Sequence, residues 1–257
     1  MTGESTSAVE QTNWPTLLQL GDLACAHAFM KARLAISSDG TEAARFAVNL
    51  LVRLNKRFDI FGPDATDIAD QARAILPDAL INANPQVTLP YAGLLRVGHG
   101  PLVASGWQRQ LGSTGWCARL GTEENTGNPV AQMAVACLGV ASLLRHFMGT
   151  DVPAEWTFSL LDYDRADSPI TPVGQTIGAT TLFGLGGLGS PFLYAVRALE
   201  LRGGPLGLVD FDVVDDTNLQ RYAFNVWADR GQAKVAVAAA RLAGLPLIVQ
   251  PYNQTFR

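Results

Sequence analysis

The chain has 257 residues, 48% hydrophobic and 16% charged, with a formal net charge of -4. That is room for one large domain or two smaller ones, with enough apolar residue for a sizeable core and no basic surface for nucleic acid. Cys25, Cys117 and Cys137 are far apart and odd in number, so they make neither a disulfide framework nor a zinc site. No signal-peptide pattern opens the sequence, and no uninterrupted apolar run reaches membrane-spanning length, so the expected compartment is the cytoplasm, with no membrane partner.

Residues 1–13 (MTGESTSAVEQTN) read as a flexible tail, and residues 14–150 as a helical and α/β region. From Trp14 to about Ile36 the pattern mixes helix and loop, with Cys25 and His27 as core residues. Residues 41–58 predict an amphipathic helix, because Phe46, Leu50, Leu54 and Phe58 recur every four residues, with Thr41 as its cap. A second helix is expected over 61–77, between Pro63 and Pro77. Residues 87–98 predict a strand, and 98–129 short strands and turns around Trp107 and Trp116. His99 has no acid or nucleophile near it in sequence and reads as a loop histidine. An apolar helix follows at 131–149, entered through Asn128-Pro129, with His146 near its negative end. Residues 151–175 read as a connector, and the Asp162, Asp164, Arg165 and Asp167 cluster as a solvated loop, since Arg165 and the nearby prolines argue against a metal site.

The chemistry concentrates in residues 178–234. A short apolar strand leads into Gly184, Gly186 and Gly189, which fit G-x-G-x-x-G with Gly187 as an extra glycine, and then into an apolar helix. Such a turn lets a phosphate approach backbone N–H groups at the helix start. The next strand, 206–212, ends in Asp210 and Asp212. Asp210 lies 21 residues after Gly189, where a parallel strand delivers an acid to a nucleotide ribose. Asn218, Arg221 and Lys234 follow. Taken singly, the glycines also suit a packing loop, and Arg221 and Lys234 suit ordinary surface charges. The run after Lys234 predicts a helix stopped by Gly244, and 245–254 a third strand parallel to the first two.

Together GLGGLGS (184–190), DFDVVDDTNLQR (210–221) and GQAK (231–234) resemble, in order, spacing and residue type, the ThiF/MoeB family, which includes the adenylation domains of ubiquitin-activating enzymes. The resemblance covers roughly residues 176–253. It implies an α/β fold with a Rossmann-like parallel sheet over 176–257, and ATP-dependent adenylation of the carboxyl terminus of a ubiquitin-like or sulfur-carrier protein, with ATP and Mg2+ as cofactors. In that resemblance Asp210 holds the ribose, and Asp212, Asn218, Arg221 and Lys234 complete the nucleotide contacts. Arg221 and Lys234 are the catalytic candidates, because fixed cations stabilise charge building on phosphoryl oxygens and pyrophosphate. Lys234, at a helix start, is expected to be exposed and to matter little to the fold. The sequence reads Arg221-Tyr222 where the family often reads Arg-Gln.

The resemblance also implies a homo-oligomer or a pseudo-dimeric arrangement, with residues 14–150 as either an inactive adenylation-like half or a simple α/β cap domain. The family's later magnesium-binding Asp, reactive cysteine and CxxC pairs have no counterpart here, so the metal ligand is unassigned. A sheet that stops after its third strand predicts a fragment, or a site completed by a partner. Two other functions stay open. One is a catalytically inactive nucleotide-binding or scaffold module. The other is an NAD-dependent oxidoreductase, which accounts for the glycines and Asp210 but not for Asn218, Arg221 and Lys234.

Overall fold

A computed structural model of the protein describes residues 17, 19, 21–86, 90–150, 152–163 and 176–255. Its contacts divide the chain into two compact units, Met1–Ile170 and Thr171–Arg257. The expected tail at 1–13, the start of the expected strand at 87–98 and the charged cluster from Asp164 to Asp167 lie outside the described residues.

The first unit is built on a seven-stranded sheet. In chain order its described elements are α1 (Leu23–Lys31), β1 (Leu34–Ser37), α2 (Glu42–Val52), β2 (Arg57–Phe61), α3 (Ala65–Ile75), β3 (Leu80–Ala83), β4 (Gly93–Val97), β5 (Gln108–Thr114), β6 (Cys117–Leu120), α4 (Pro129–Phe147) and β7 (Trp156–Ser159). The strand order is β3-β2-β1-β4-β5-β6-β7. The first five strands run parallel, and β6 and β7 are added antiparallel. All four residues of β1 are buried, as a central parallel strand covered on both faces requires. Helix α3 buries Ala65, Ile68, Ala72 and Ile75, the three- and four-residue spacing of one helical face. Helix α4 starts at Asn128, whose side chain accepts from the Val130 and Ala131 N–H groups, and packs on α2, β5 and β6. Among the described residues it is the one helix long and apolar enough, by length and composition, to cross a membrane.

Several expectations change here. The helix expected over 41–58 ends at Val52, and Phe58 belongs to β2, where it pairs with Leu34. β1 occupies part of the stretch read as helix and loop. Residues 156–159, expected in a connector, form β7 and pair with β6. His99 does have an acid beside it: its Nδ1 lies 3.2 Å from Glu123 Oε2, on an exposed surface.

An order of 3-2-1-4-5 places the ligand crevice of a doubly wound sheet between β1 and β4, beyond their carboxyl ends. In this unit the protein fills that crevice itself. The Asp39 carboxylate accepts from Thr41 N at 3.1 Å, Thr41 Oγ1 at 2.6 Å and Asn125 Nδ2 at 3.0 Å. Gly98, just past β4, has φ +51°, and a Cβ there would lie 1.9 Å from Asp39 Oδ2, so the two loops meet across the gap.

The second unit is a run of parallel β-α-β. β8 (Thr176–Ile177) and β9 (Thr180–Phe183) follow one another along one side of β10 (Arg202–Asp210), and β11 (Leu247–Asn253) lies on its other side. All these pairings are parallel. Helix α5 (Gly189–Ala198) joins β9 to β10, and α6 (Lys234–Leu242) precedes β11. Leu193 and Val196 of α5, Leu206 and Leu208 of β10, and Val235 and Leu242 of α6 form one buried cluster. The parallel sheet and glycine turn expected at the carboxyl end of the chain are therefore present, with β10 beginning four residues earlier than expected and ending at Asp210.

Candidate functional site

The ladder between β9 and β10 carries directly into the glycine turn, where Gly184 N–H donates to the Val209 carbonyl at 2.9 Å. The turn reverses at Gly184, whose φ of +83° favours glycine. A Cβ on Gly189 would lie 2.1 Å from the Gly184 carbonyl oxygen, so the fold itself demands glycine there. Gly187 is different: a Cβ on it would meet no atom within 4 Å. A Cβ on Gly186 would come no nearer than 3.6 Å to any group, the nearest being the Tyr222 hydroxyl. Neither is required by packing, and both leave the backbone open to a close-approaching ligand. The α5 N-terminus behind them has no side-chain cap; Ser190 N–H donates to the Gly186 carbonyl, Pro191 has no N–H, and the N–H groups of the turn itself are the ones that face an approaching anion.

Asp210 is 8% exposed and ties the turn to the strand end. Its Oδ2 accepts from Leu185 N at 2.6 Å, and its Oδ1 from Asp212 N at 2.8 Å. A carboxylate has about four acceptor positions, so two remain for hydroxyl donors. Beyond Asp210 the chain pairs with the segment ahead of α6. Val214 N–H donates to the Gln232 carbonyl, and Lys234 N–H to the Asp212 carbonyl at 3.0 Å. That pairing delivers the Lys234 ammonium to the end of the sheet.

Lys234 is 3% exposed, contrary to the expectation of an exposed helix-start lysine. Its Nζ donates to Asp212 Oδ2 at 2.8 Å and to the Tyr222 hydroxyl at 3.2 Å, and it lies 4.8 Å from the centre of the Tyr222 ring. Burial works to lower its pKa, but the hydrogen bonds to Asp212 and Tyr222 and the nearby Asp210 charge outweigh it, leaving it above the ordinary lysine value. Ser190 of α5 anchors the loop that carries Tyr222, accepting from Phe224 N at 2.8 Å.

These groups border one cavity of about 300 Å³, lined in part by Gly184, Gly186, Asp210, Asp212 and Lys234. Phe183, Phe211, Tyr222 and Gln254 line it as well. Sequence reasoning passed over these four, and the only signal for Tyr222 was its place beside Arg221. Gly187 and Gly189 belong to the turn without lining the cavity. Asn218 and Arg221 stand apart from its wall. The Asn218 carbonyl accepts from Arg221 N and Tyr222 N, both at 3.1 Å, and its side-chain amide donates to Thr217 Oγ1 at 3.3 Å. The exposed Arg221 guanidinium lies 5.8 Å from the Tyr222 ring centre. Among the described residues no three His, Cys, Asp or Glu side chains converge.

The model of the ThiF family matches residues 179–252, the whole span from β9 to β11. Residues 179–252 are a ThiF-family segment. Over 68 residues the chain is 43% identical to the probable adenylyltransferase/sulfurtransferase MoeZ of Mycobacterium tuberculosis, covering 26% of this chain and 17% of MoeZ. A longer match, 27% identical over 241 residues, is to the protein y4jF of Sinorhizobium fredii, covering 85% of this chain and 45% of that one. The chain thus spans less than half the length of the curated relatives it matches. The crystal structure of E. coli MccB aligns with a TM-score of 0.49 and 6% identity, over 63% of this chain and 69% of that one. The matched segment contains every site candidate named from the sequence, and of the cavity-lining residues named above only Gln254 lies beyond it.

Proposed function

We propose that the protein uses ATP to adenylate the carboxyl terminus of a ubiquitin-like or sulfur-carrier protein, in the cytoplasm and as part of a homo-oligomeric or pseudo-dimeric assembly. The observation that carries this reading is the convergence of the glycine turn, Asp210, Asp212 and Lys234 on a single cavity at the carboxyl end of a parallel sheet. Likeness to MoeZ, named as an adenylyltransferase, supports the adenylation half of the reaction.

On this reading the two free acceptor positions of Asp210 take the ribose hydroxyls. Gly186 and Gly187 let the phosphates lie against the backbone ahead of α5. Lys234 faces the phosphate oxygens, and a phosphate competes with Asp212 for its ammonium. Arg221 and Asn218, on the exposed loop after β10, reach the phosphates by a local movement of that loop. The substrate carboxylate attacks the α-phosphorus, the bond to the pyrophosphate oxygen breaks, and pyrophosphate leaves with the electron pair. Charge grows on the phosphoryl oxygens in that step, and pre-fixed cations stabilise it without reorganising.

The test is exchange of radiolabelled pyrophosphate into ATP, dependent on a carrier protein with a free carboxyl terminus. Exchange that appears with the carrier and vanishes when its last residue is amidated is the expected result. Tight binding of NAD with no binding of ATP would falsify the assignment.

A further inference from the structure

The adenylation reading explains the glycine turn, the acids and Lys234, but it leaves Tyr222 without a role. Tyr222 is 6% exposed, yet it lines the cavity. Its ring has Lys234 Nζ 4.8 Å from its centre and the Arg221 guanidinium 5.8 Å from it, both within reach of a cation–π contact. Its hydroxyl accepts from Lys234 Nζ. The same oxygen is the nearest atom to a Cβ built on Gly186, at 3.6 Å, so it stands next to the open part of the turn. A tyrosine hydroxyl has one proton to give. Among the described residues that proton meets no acceptor, and Tyr222 lines the cavity.

We propose that Tyr222 holds the Lys234 ammonium beside the glycine turn and donates its hydroxyl proton to a phosphate oxygen of the bound nucleotide. The inference rests on the adenylation reading and adds to it a neutral donor next to the Lys234 cation. Accepting the Lys234 N–H makes the Tyr222 O–H a better donor, because linked hydrogen bonds polarise one another. The ring does a separate job. It limits where the long, flexible Lys234 side chain settles, so less order has to be imposed when phosphate arrives.

Calorimetric titration with ATP, inorganic pyrophosphate and adenosine separates these roles, using the full chain, Tyr222→Phe and Tyr222→Leu. Tyr222→Phe keeps the ring and loses the hydroxyl. It is expected to bind ATP and pyrophosphate about tenfold more weakly, the cost of one hydrogen bond to a charged group, with adenosine affinity unchanged. Tyr222→Leu also loses the ring and is expected to bind both phosphates more weakly still. Unchanged ATP and pyrophosphate binding by Tyr222→Phe overturns the donor role. Equal weakening of all three ligands assigns Tyr222 to the fold and overturns the proposal. A leucine variant no weaker than the phenylalanine variant overturns the positioning of Lys234. Wild-type protein that binds neither ATP nor pyrophosphate removes the adenylation reading and this one with it, an outcome distinct from any difference between variants.

Discussion

A Cβ on Gly189 would sit 2.1 Å from the Gly184 carbonyl oxygen, whereas one on Gly187, two residues earlier, would touch nothing. The two positions therefore separate fold from function within a single turn. Gly189→Ala forces backbone against backbone and is expected to lower stability by ~1–3 kcal/mol. Gly187→Ala should stay within ~0.5 kcal/mol of the parent in urea denaturation and yet weaken ATP, because its methyl group intrudes where the phosphate approaches. Equal ATP affinity in Gly187→Ala and the parent would show that the phosphate lies elsewhere. Lys234 is harder to divide. Its stem is buried and its head shares hydrogen bonds with Asp212 and Tyr222, so Lys234→Met should cost ~1–3 kcal/mol, where an exposed lysine would cost almost nothing. Half of the Asp212 side chain is exposed, and water can solvate the carboxylate once its partner has gone, which keeps the loss below that of a fully buried pair.

At the scale of elements, Lys234 is also the first residue of α6, and its charge state links that helix to pH. Its pKa is raised in the folded protein, so its contribution to stability is complete below the unfolded lysine value of about 10.4 and is lost as pH rises through the folded value. The stability difference between the parent and Lys234→Met, measured in urea from pH 7 to pH 11, should be flat to about pH 10 and shrink above it. A difference that shrinks between pH 7 and pH 9 would contradict the pairing with Asp212. The elements themselves were unevenly legible. The fourfold repeat of Phe46, Leu50, Leu54 and Phe58 reads as one helical face because apolar residues recur every four positions, and all four are buried or partly buried in the structure. After Val52, however, Asn55 donates from its side chain to the Phe29 carbonyl, and Phe58 turns into β2 beside Leu34. A four-residue apolar run such as Leu34–Ser37 has no period long enough to tell strand from helix, so β1 was missed.

At the scale of the molecule, the two units present sheets of related design and opposite fitness for a nucleotide. The second has a glycine turn and an uncapped helix start. The first has the doubly wound order, but the Asp39 carboxylate and its partners Thr41 and Asn125 fill the crevice with a negative charge that would repel phosphate. The whole chain is accordingly expected to bind one ATP, and calorimetry should give a stoichiometry near one. A value near two would mean that the crevice beside Asp39 opens. The sequence by itself determined the glycine turn, the acid at the end of the next strand and the cations after it, because strand–glycine–helix geometry is local and each of those residues is fixed by its distance along the chain. Only the tertiary structure decided that Lys234 is buried against Asp212 and Tyr222, that Asn218 and Arg221 stand off the cavity wall, and that the first unit is a mainly parallel sheet with its crevice closed. Those facts depend on which strands pair and which loops meet at their ends, between residues tens of positions apart, and no local spacing encodes them.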